Sequence, residues 1–281
     1  MTHKLEYELN LLYVEVLPAT YNGLAKNFKT YFKLNNKPIT KCIFEAVPLE
    51  KIKKLEEGLD DTGYTDGQFF RALRLCYAVN EDGRIIFIYF PVHVVIDHSD
   101  PTTQTDFFRI DQYNGDMLDL PDDLKVFYYD REELVMKSPD LGTVKLWIQR
   151  YRDSISVQRE LGGEHEPFNV DVDIQGILFP FKEINTFSSP VIYITSLATF
   201  GPTPTDLIKH TLCIANVIPD SNAAIKRQIS DLGSLCPMHC SELAIQYREY
   251  GTSSLNKLFF SETSSKSFNF DIFRKVGIKY V

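Results

Sequence analysis

Hydrophobic and polar residues alternate over several short segments of this chain, a pattern that is typical of half-buried β-strands. The first such segment covers residues 4–17 and places Leu5, Tyr7, Leu9 and Leu11 on one face. Short apolar runs predict further strands at residues 39–47, 125–129, 169–179, 191–200 and 211–218. Strands are therefore expected in both halves of the chain.

The clearest local pattern is a β-hairpin. Residues 68–79 and 85–96 are strongly apolar and flank the connector Asn80-Glu-Asp-Gly-Arg84, whose glycine suits a hairpin turn with a bulge. The first arm also fits a helical period through Phe69, Leu73 and Tyr77. We favour the strand because the composition of the connector supports it.

Apolar residues at helical spacing predict helices between these strands. The predicted helices cover residues 20–32, 49–59, 141–161, 221–232 and 237–251. Thr20, Asp140 and either Asp220 or Ser221 are suitable N-caps, while Pro48 and Pro237 suit the start of a helix. The pair Gly162-Gly163 is suited to end the helix that follows Asp140.

The arrangement of these elements predicts the fold class. Residues 98–122 are rich in Asp, Thr, Pro and Gly and are expected to form a long surface loop. Because strands do not alternate strictly with helices, we expect an α+β fold with mixed, largely antiparallel sheets and packed helices. We expect a single domain over residues 1–281, built either as one compact unit or as two lobes, 1–161 and 168–281.

Composition and charge narrow the classes of partner. The 281 residues carry a formal net charge of −8, and the densest basic stretch, residues 51–54, precedes Glu56 and Glu57, as on a solvated helix face. We therefore expect no nucleic-acid partner, since duplex-binding proteins carry a basic surface. The longest apolar run, residues 85–96, is too short to span a bilayer, so we expect no membrane partner. Five scattered cysteines and the absence of a signal-peptide pattern indicate reduced thiols and a cytoplasmic location.

The segment His93-Val-Val-Ile-Asp97-His98-Ser-Asp100 carries the first candidate chemistry. Imidazole and carboxylate groups this close in sequence could bind a divalent metal, although in a straight strand His93 and Asp97 would lie about 13 Å apart. The His-x-x-x-Asp spacing resembles the His-x-x-x-Asp-Gly signature of chloramphenicol-acetyltransferase-like acyltransferases, with His98 in place of the glycine. That resemblance implies a general base at His93. The third interpretation is a structural histidine at a strand end.

A second candidate site combines His210 and Cys213 with Cys236, His239 and Cys240. Two-residue gaps of this kind are found in zinc sites. A strand over residues 211–218 would place His210 and Cys213 on opposite faces, and Cys240 falls on the apolar face of its predicted helix. Cys236, directly before Pro237, could also be an N-cap thiol with a lowered pKa.

Aromatic residues and the lack of common catalytic motifs bear on the function. Twenty Phe, fifteen Tyr and one Trp include doublets such as Phe107-Phe108, which a single sheet face cannot bury. Strands with such doublets are either sandwiched between two layers of the fold, the arrangement that we favour, or present one face to a partner. The sequence contains no Gly-x-Ser-x-Gly and no His-Glu-x-x-His motif. We expect a non-enzymatic interaction or assembly subunit without cofactor or metal, for instance in a phage or secretion-type particle, that binds a protein partner or its own copies. The alternatives are an enzyme that uses His93 and Asp97, acyltransferase-like or metal-dependent, and a zinc-stabilised binding module.

Overall fold

A computed structural model of the chain describes the following residues: 18–66, 68–100, 105–110, 118, 120, 124–160, 162–170, 173, 176–200, 208–215, 229–232, 234–236 and 243–246. Their helices are α1 (Pro18–Tyr31), α2 (Leu49–Glu57), α3 (Leu141–Ser154) and α4 (Phe181–Ile184). Their strands are β1 (Phe32–Leu34), β2 (Lys37–Pro38), β3 (Phe44–Pro48), β4 (Phe69–Val79), β5 (Ile85–Asp100), β6 (Thr105–Ile110), β7 (Phe127–Asp130), β8 (Val135–Lys137), β9 (Ile155–Val157), β10 (Glu166–Pro167), β11 (Gly176–Pro180), β12 (Val191–Phe200), β13 (Ile208–Ala215), β14 (Ile229–Leu232), β15 (Ser234–Cys236) and β16 (Leu243–Gln246).

The described strands form three sheets. The largest has the order β15-β11-β4-β5-β6-β16, with β7 paired to β5 and β8 paired to β7. The other two have the orders β14-β13-β12-β3 and β10-β9-β1-β2. All pairings among these strands are antiparallel, which confirms the α+β prediction with largely antiparallel sheets.

The predicted hairpin is formed by β4 and β5, which pair from Val79↔Ile85 to Phe69↔Val95. Gly83 adopts φ 73° in the connector, a left-handed conformation that glycine accepts without strain. Both faces of the hairpin are buried within the chain. One face joins the main core with α2, and the other packs on Val144, Trp147 and Ile148 of α3. Burial on both faces explains the nearly continuous apolar sequence of the two arms.

The N-terminal ends of the helices agree with the sequence prediction more closely than the C-terminal end of α3 does. α2 begins directly after Pro48, and the Asp140 side chain caps α3 by accepting a hydrogen bond from the Thr143 backbone N–H at 2.9 Å. α1 begins two residues before the predicted cap Thr20. The expected helix over residues 141–161 is too long, because Ile155–Val157 leave it to pair as β9 with β1.

Three further predictions are corrected. The expected loop over residues 98–122 contains β6, whose Phe107 and Phe108 pair with Asp97 and Ile96 of β5. Residues 229–232 are strand β14, not the end of a helix, and Leu243–Gln246 is strand β16 within the second expected helix. Both segments gain backbone partners on neighbouring strands, namely β13 and β6. These tertiary hydrogen bonds outweigh the local helical pattern.

Other sequence expectations remain untested. The strand at residues 4–17 lies outside the described residues. Strands from the two sides of residues 162–167 do pair with each other, since β4 pairs with β11 and β3 pairs with β12. The organisation into one unit or two lobes stays a prediction.

No helix in the described ranges has both the length and the apolar character that crossing a membrane requires.

Candidate functional site

Three residues on one face of β5 define the candidate site. Tyr89, Pro91 and His93 are two residues apart, so their side chains share the face that packs towards α2, with about 7 Å between successive positions. Tyr89 and His93 each contact a carboxylate from a distant segment. Pro91, between them along the strand, lines a cavity.

Tyr89 belongs to a buried cluster around Glu45. The Tyr89 hydroxyl donates a hydrogen bond to Glu45 Oε2, and Arg131 donates through Nε and Nη2 to Oε1 at 3.2 and 3.1 Å. Glu45 on β3 is only 1% exposed. Burial raises the pKa of Glu45 to about 7, although Arg131 and the Tyr89 hydroxyl lower it. A carboxyl group that titrates near neutral pH thus links β3, β5 and the turn after β7.

His93 belongs to a second cluster around Asp61, which lies in the loop after α2. His93 Nε2 is 2.8 Å from Asp61 Oδ1, and Arg71 donates through Nε to the same oxygen at 3.0 Å. Arg71 is the cross-strand partner of His93 on β4. The hydrogen bonds from Arg71 are the main reason that the pKa of Asp61 lies below its usual value. The imidazole also stacks on Tyr64, with ring centroids 4.1 Å apart, and contacts the edge of Phe69.

This cluster changes the interpretation of the His93–Asp97 motif. The carboxylate that contacts His93 is Asp61, 32 residues earlier in the chain. The side chains of Asp97 and His98 lie outside the described residues, so a metal or general-base role for the motif stays untested. A carboxylate that orients an imidazole is also found in catalytic sites. Within the described ranges, no group of three His, Cys, Asp or Glu side chains could hold a metal ion.

The contacts of His93 predict a larger structural role than its sequence suggests. From sequence we expect His93→Ala to cost little stability. In the structure the histidine is 8% exposed, so its loss should lower the free energy of unfolding by about 1–3 kcal/mol. Urea unfolding of His93→Ala, Asp61→Asn and the double variant would test this in a double-mutant cycle. A coupling energy below about 0.5 kcal/mol would contradict a specific His93–Asp61 contact.

The cavity lined by Pro91 has a volume of about 400 Å³ and lies between α2 and the β7–β8 hairpin. We call it the lysine groove. Its apolar lining residues are Leu55, Pro91, Phe127, Val135 and Met136, and its cationic ones are Lys51, Lys54 and Lys125. Lys51, Lys54 and Leu55 share a face of α2 because they are three and four positions apart. The groove thus combines an apolar lining with three positive charges.

Sequence patterns alone do not reveal this groove. The charge pattern of residues 51–54 predicts a solvated helix face, whereas Lys51 and Lys54 line the cavity and their neighbour Lys53 does not. The helical spacing of Lys51 and Lys54 beside the buried Leu55 was the available signal. Lys125 and Phe127 reach the groove only through the pairing of β7 with β5, which no local pattern reveals.

The groove lies where the pairing of β5 is interrupted. On the side away from β4, Tyr89 pairs with Phe127 of β7, and pairing resumes at Val94 with Ile110 of β6. Among the described strands, none pairs with this side of β5 between those two points. Pro91 lies in this interval, and a proline is best tolerated where a ladder hydrogen bond is not required.

A turn at residues 131–134 joins β7 to β8 beside the groove. Leu134 adopts φ 58° and is 62% exposed. The side chains of Glu132 and Glu133 are 77% and 63% exposed and form surface ion pairs with Arg84 and Lys137. The next two residues, Val135 and Met136, line the groove. An acidic and apolar turn is thus a direct neighbour of a basic and apolar groove.

The second candidate site of the sequence is divided between two sheets. His210 and Cys213 lie on opposite faces of β13, as expected: His210 packs among Phe32, Tyr77 and Tyr151, and Cys213 packs with Leu24 and Leu197. Cys236 is the last residue of β15 in the largest sheet. Residues 237–242 lie outside the described part of the chain, so the N-cap hypothesis for its thiol stays a prediction.

The zinc hypothesis stays untested, because the Cys236 side chain and residues 239 and 240 lie outside the described part of the chain. The lysine groove, flanked along β5 by the Glu45 and Asp61 clusters, is the better candidate site. Comparisons of the chain with protein-family models, with curated proteins and with solved structures found no match, so its function must be inferred from the geometry and chemistry of this site.

Proposed function

We propose that the chain is a non-enzymatic interaction or assembly subunit that binds an acidic, apolar segment of a partner protein in the lysine groove. The observation that carries this proposal is the composition of the groove, which combines three lysines with five apolar side chains. Acidic groups of the partner would pair with the lysines while an apolar anchor fills the cavity. Such a surface suits a subunit of a larger particle, including one of the phage or secretion type.

The chemistry of the lining favours binding over catalysis. Among the described residues that line the groove, none supplies a carboxylate, imidazole, hydroxyl or thiol side chain. Most general acid–base and nucleophilic catalysis uses one of these groups at the reacting atoms, and the groove offers only lysine amines in their place. The nearest such groups on β5, Tyr89 and His93, are engaged with Glu45 and Asp61.

The size of the groove suits a protein side chain as anchor. A cavity of about 400 Å³ lies at the lower end of small-molecule sites and readily holds one or two side chains. Protein interfaces gain most of their affinity from a few anchors in such pockets, surrounded by polar contacts. In a chain of net charge −8, three lysines at one cavity also select acidic over basic segments.

A peptide titration tests the proposal. A short fluorescent peptide that repeats Glu-Glu-Leu should bind the wild type with a Kd of about 1–100 µM, as measured by anisotropy. The double variant Lys54→Glu/Lys125→Glu should bind it about tenfold or more weakly, because it reverses two of the three groove charges.

Lys53→Glu is the matched control, since it makes the same charge reversal on α2 outside the groove lining and should keep nearly wild-type affinity. A peptide that repeats Lys-Lys-Leu should bind much more weakly than the acidic one. Equal affinity of the wild type and the groove double variant for the acidic peptide would refute the proposal, as would equal affinity for the two peptides.

A further inference from the structure

Leu134 has two features that the folded chain by itself does not favour. Its backbone adopts φ 58°, a left-handed conformation that glycine or asparagine accepts at lower cost than leucine. Its apolar side chain is also 62% exposed to solvent. A leucine at this position would be favoured if its side chain were buried by another molecule.

The charges of the same turn are available for an external contact. Glu132 pairs with Arg84, and Glu133 pairs with Lys137, but all four side chains are at least one third exposed. Ion pairs this exposed contribute little to stability, so exchanging them for new partners has a small cost. The turn therefore presents two carboxylates and one apolar side chain in consecutive positions.

The turn and the lysine groove belong to one continuous surface, since Val135 and Met136 follow Leu134 directly and line the groove. In a two-fold symmetric dimer, a surface patch meets the same patch of the second copy. Here the patch contains the basic, apolar lysine groove beside the acidic, apolar turn. A two-fold rotation therefore places the turn of each copy opposite the lysine groove of the other.

We infer that the lysine groove binds the turn Glu132-Glu133-Leu134 of a second copy of this chain, which makes the protein a two-fold dimer. Leu134 of one copy inserts towards Leu55, Phe127 and Met136 of the other. Glu132 and Glu133 pair with the lysines of the groove. This inference rests on the proposed function of the groove and names its partner.

Two charge-reversal variants test the inference. The groove variant is Lys54→Glu/Lys125→Glu, and the turn variant is Glu132→Lys/Glu133→Lys. A contact centred on one turn is small, so we expect the wild type to dimerise with a Kd of about 1–100 µM and more weakly at high salt. Each variant alone should be monomeric in sedimentation velocity, because it places like charges at both contacts. Circular dichroism would verify that each variant is folded.

An equimolar mixture of the two variants is the decisive sample. At one contact the acidic groove of the groove variant faces the basic turn of the turn variant. At the other contact the unchanged turn of the groove variant faces the unchanged groove of the turn variant. Both contacts are attractive, so a heterodimer should form. Leu134→Asn should weaken the wild-type dimer by about tenfold or more while leaving the monomer as stable as before, because asparagine tolerates the left-handed backbone. Lys53→Glu should dimerise like the wild type.

The possible failures are distinguishable. A wild type that stays monomeric at about 100 µM, or a dimer that neither variant disrupts, would overturn the inference. If such a protein still binds the Glu-Glu-Leu peptide through its lysines, the proposed function stands and only the second copy is excluded as the partner. If the peptide also fails to bind, both proposals fall.

Discussion

Replacing Asp173 with alanine should lower the free energy of unfolding by about 3–5 kcal/mol, because it removes the buried carboxylate that pairs with the buried guanidinium of Arg159. The two side chains are 5% and 8% exposed, and Arg159 Nη2 donates to Asp173 Oδ2 at 2.6 Å. Asp173 also accepts a hydrogen bond from the Asn169 backbone N–H at 2.7 Å. The variant would therefore lose a charge pair and leave the buried Arg159 guanidinium and the part-buried Asn169 N–H with fewer acceptors.

Urea unfolding followed by circular dichroism measures this loss. Glu166→Ala is the matched control, because Glu166 contacts the same arginine from a side chain that is 63% exposed. It should cost only about 0–1 kcal/mol. Similar losses in the two variants would mean that burial does not decide the strength of these pairs. A loss below about 1 kcal/mol for Asp173→Ala would contradict the structural role that we assign to it.

Elements whose conformation is decided locally could be predicted from the sequence. The β4–β5 hairpin follows from two apolar arms around Asn80-Glu-Asp-Gly-Arg84, and the start of α3 follows from the capping side chain of Asp140. In both cases the residues that determine the structure are neighbours in the chain. The α+β class followed from the order of such elements, without knowledge of their contacts.

Elements that depend on distant partners could not be predicted in this way. Ile155–Val157 continues the helical pattern of α3, yet it pairs with β1 more than 100 residues earlier. His93 was recognised as a candidate, but nothing in the sequence links it to Asp61, and the Glu45–Arg131 pair joins residues 86 positions apart. The lysine groove likewise combines α2 with the β7–β8 hairpin. Fold class was therefore easier to predict than the site, since the contacts that form the site join residues of different helices, strands and loops.

The stability of the protein should depend on pH through Glu45. In the folded chain its pKa is raised to about 7, from 4.5 when it is not buried, chiefly because burial disfavours the carboxylate. Between about pH 4.5 and pH 7, Glu45 is protonated in the folded state and has released its proton in the unfolded state. A raised carboxyl pKa therefore stabilises the fold at low pH, and this contribution is lost as the pH rises from about 4.5 to 7. Above pH 7 the group is ionised in both states, and its contribution no longer changes.

The expected decrease is about 1.4 kcal/mol per pH unit, or roughly 3 kcal/mol over the whole window. Glu45→Gln should remove it, because glutamine stays neutral while its amide oxygen can still accept the hydrogen bond from the Tyr89 hydroxyl. Urea unfolding at intervals from pH 4.5 to 8 measures the difference between wild type and variant, in which the titration of all other groups cancels. Arg131→Met gives a second check: Arg131 lowers the pKa of Glu45, so its loss should extend the decline to higher pH. Parallel stability curves for the wild type and Glu45→Gln would show that Glu45 keeps an ordinary pKa despite its burial, with its charge fully compensated by Arg131.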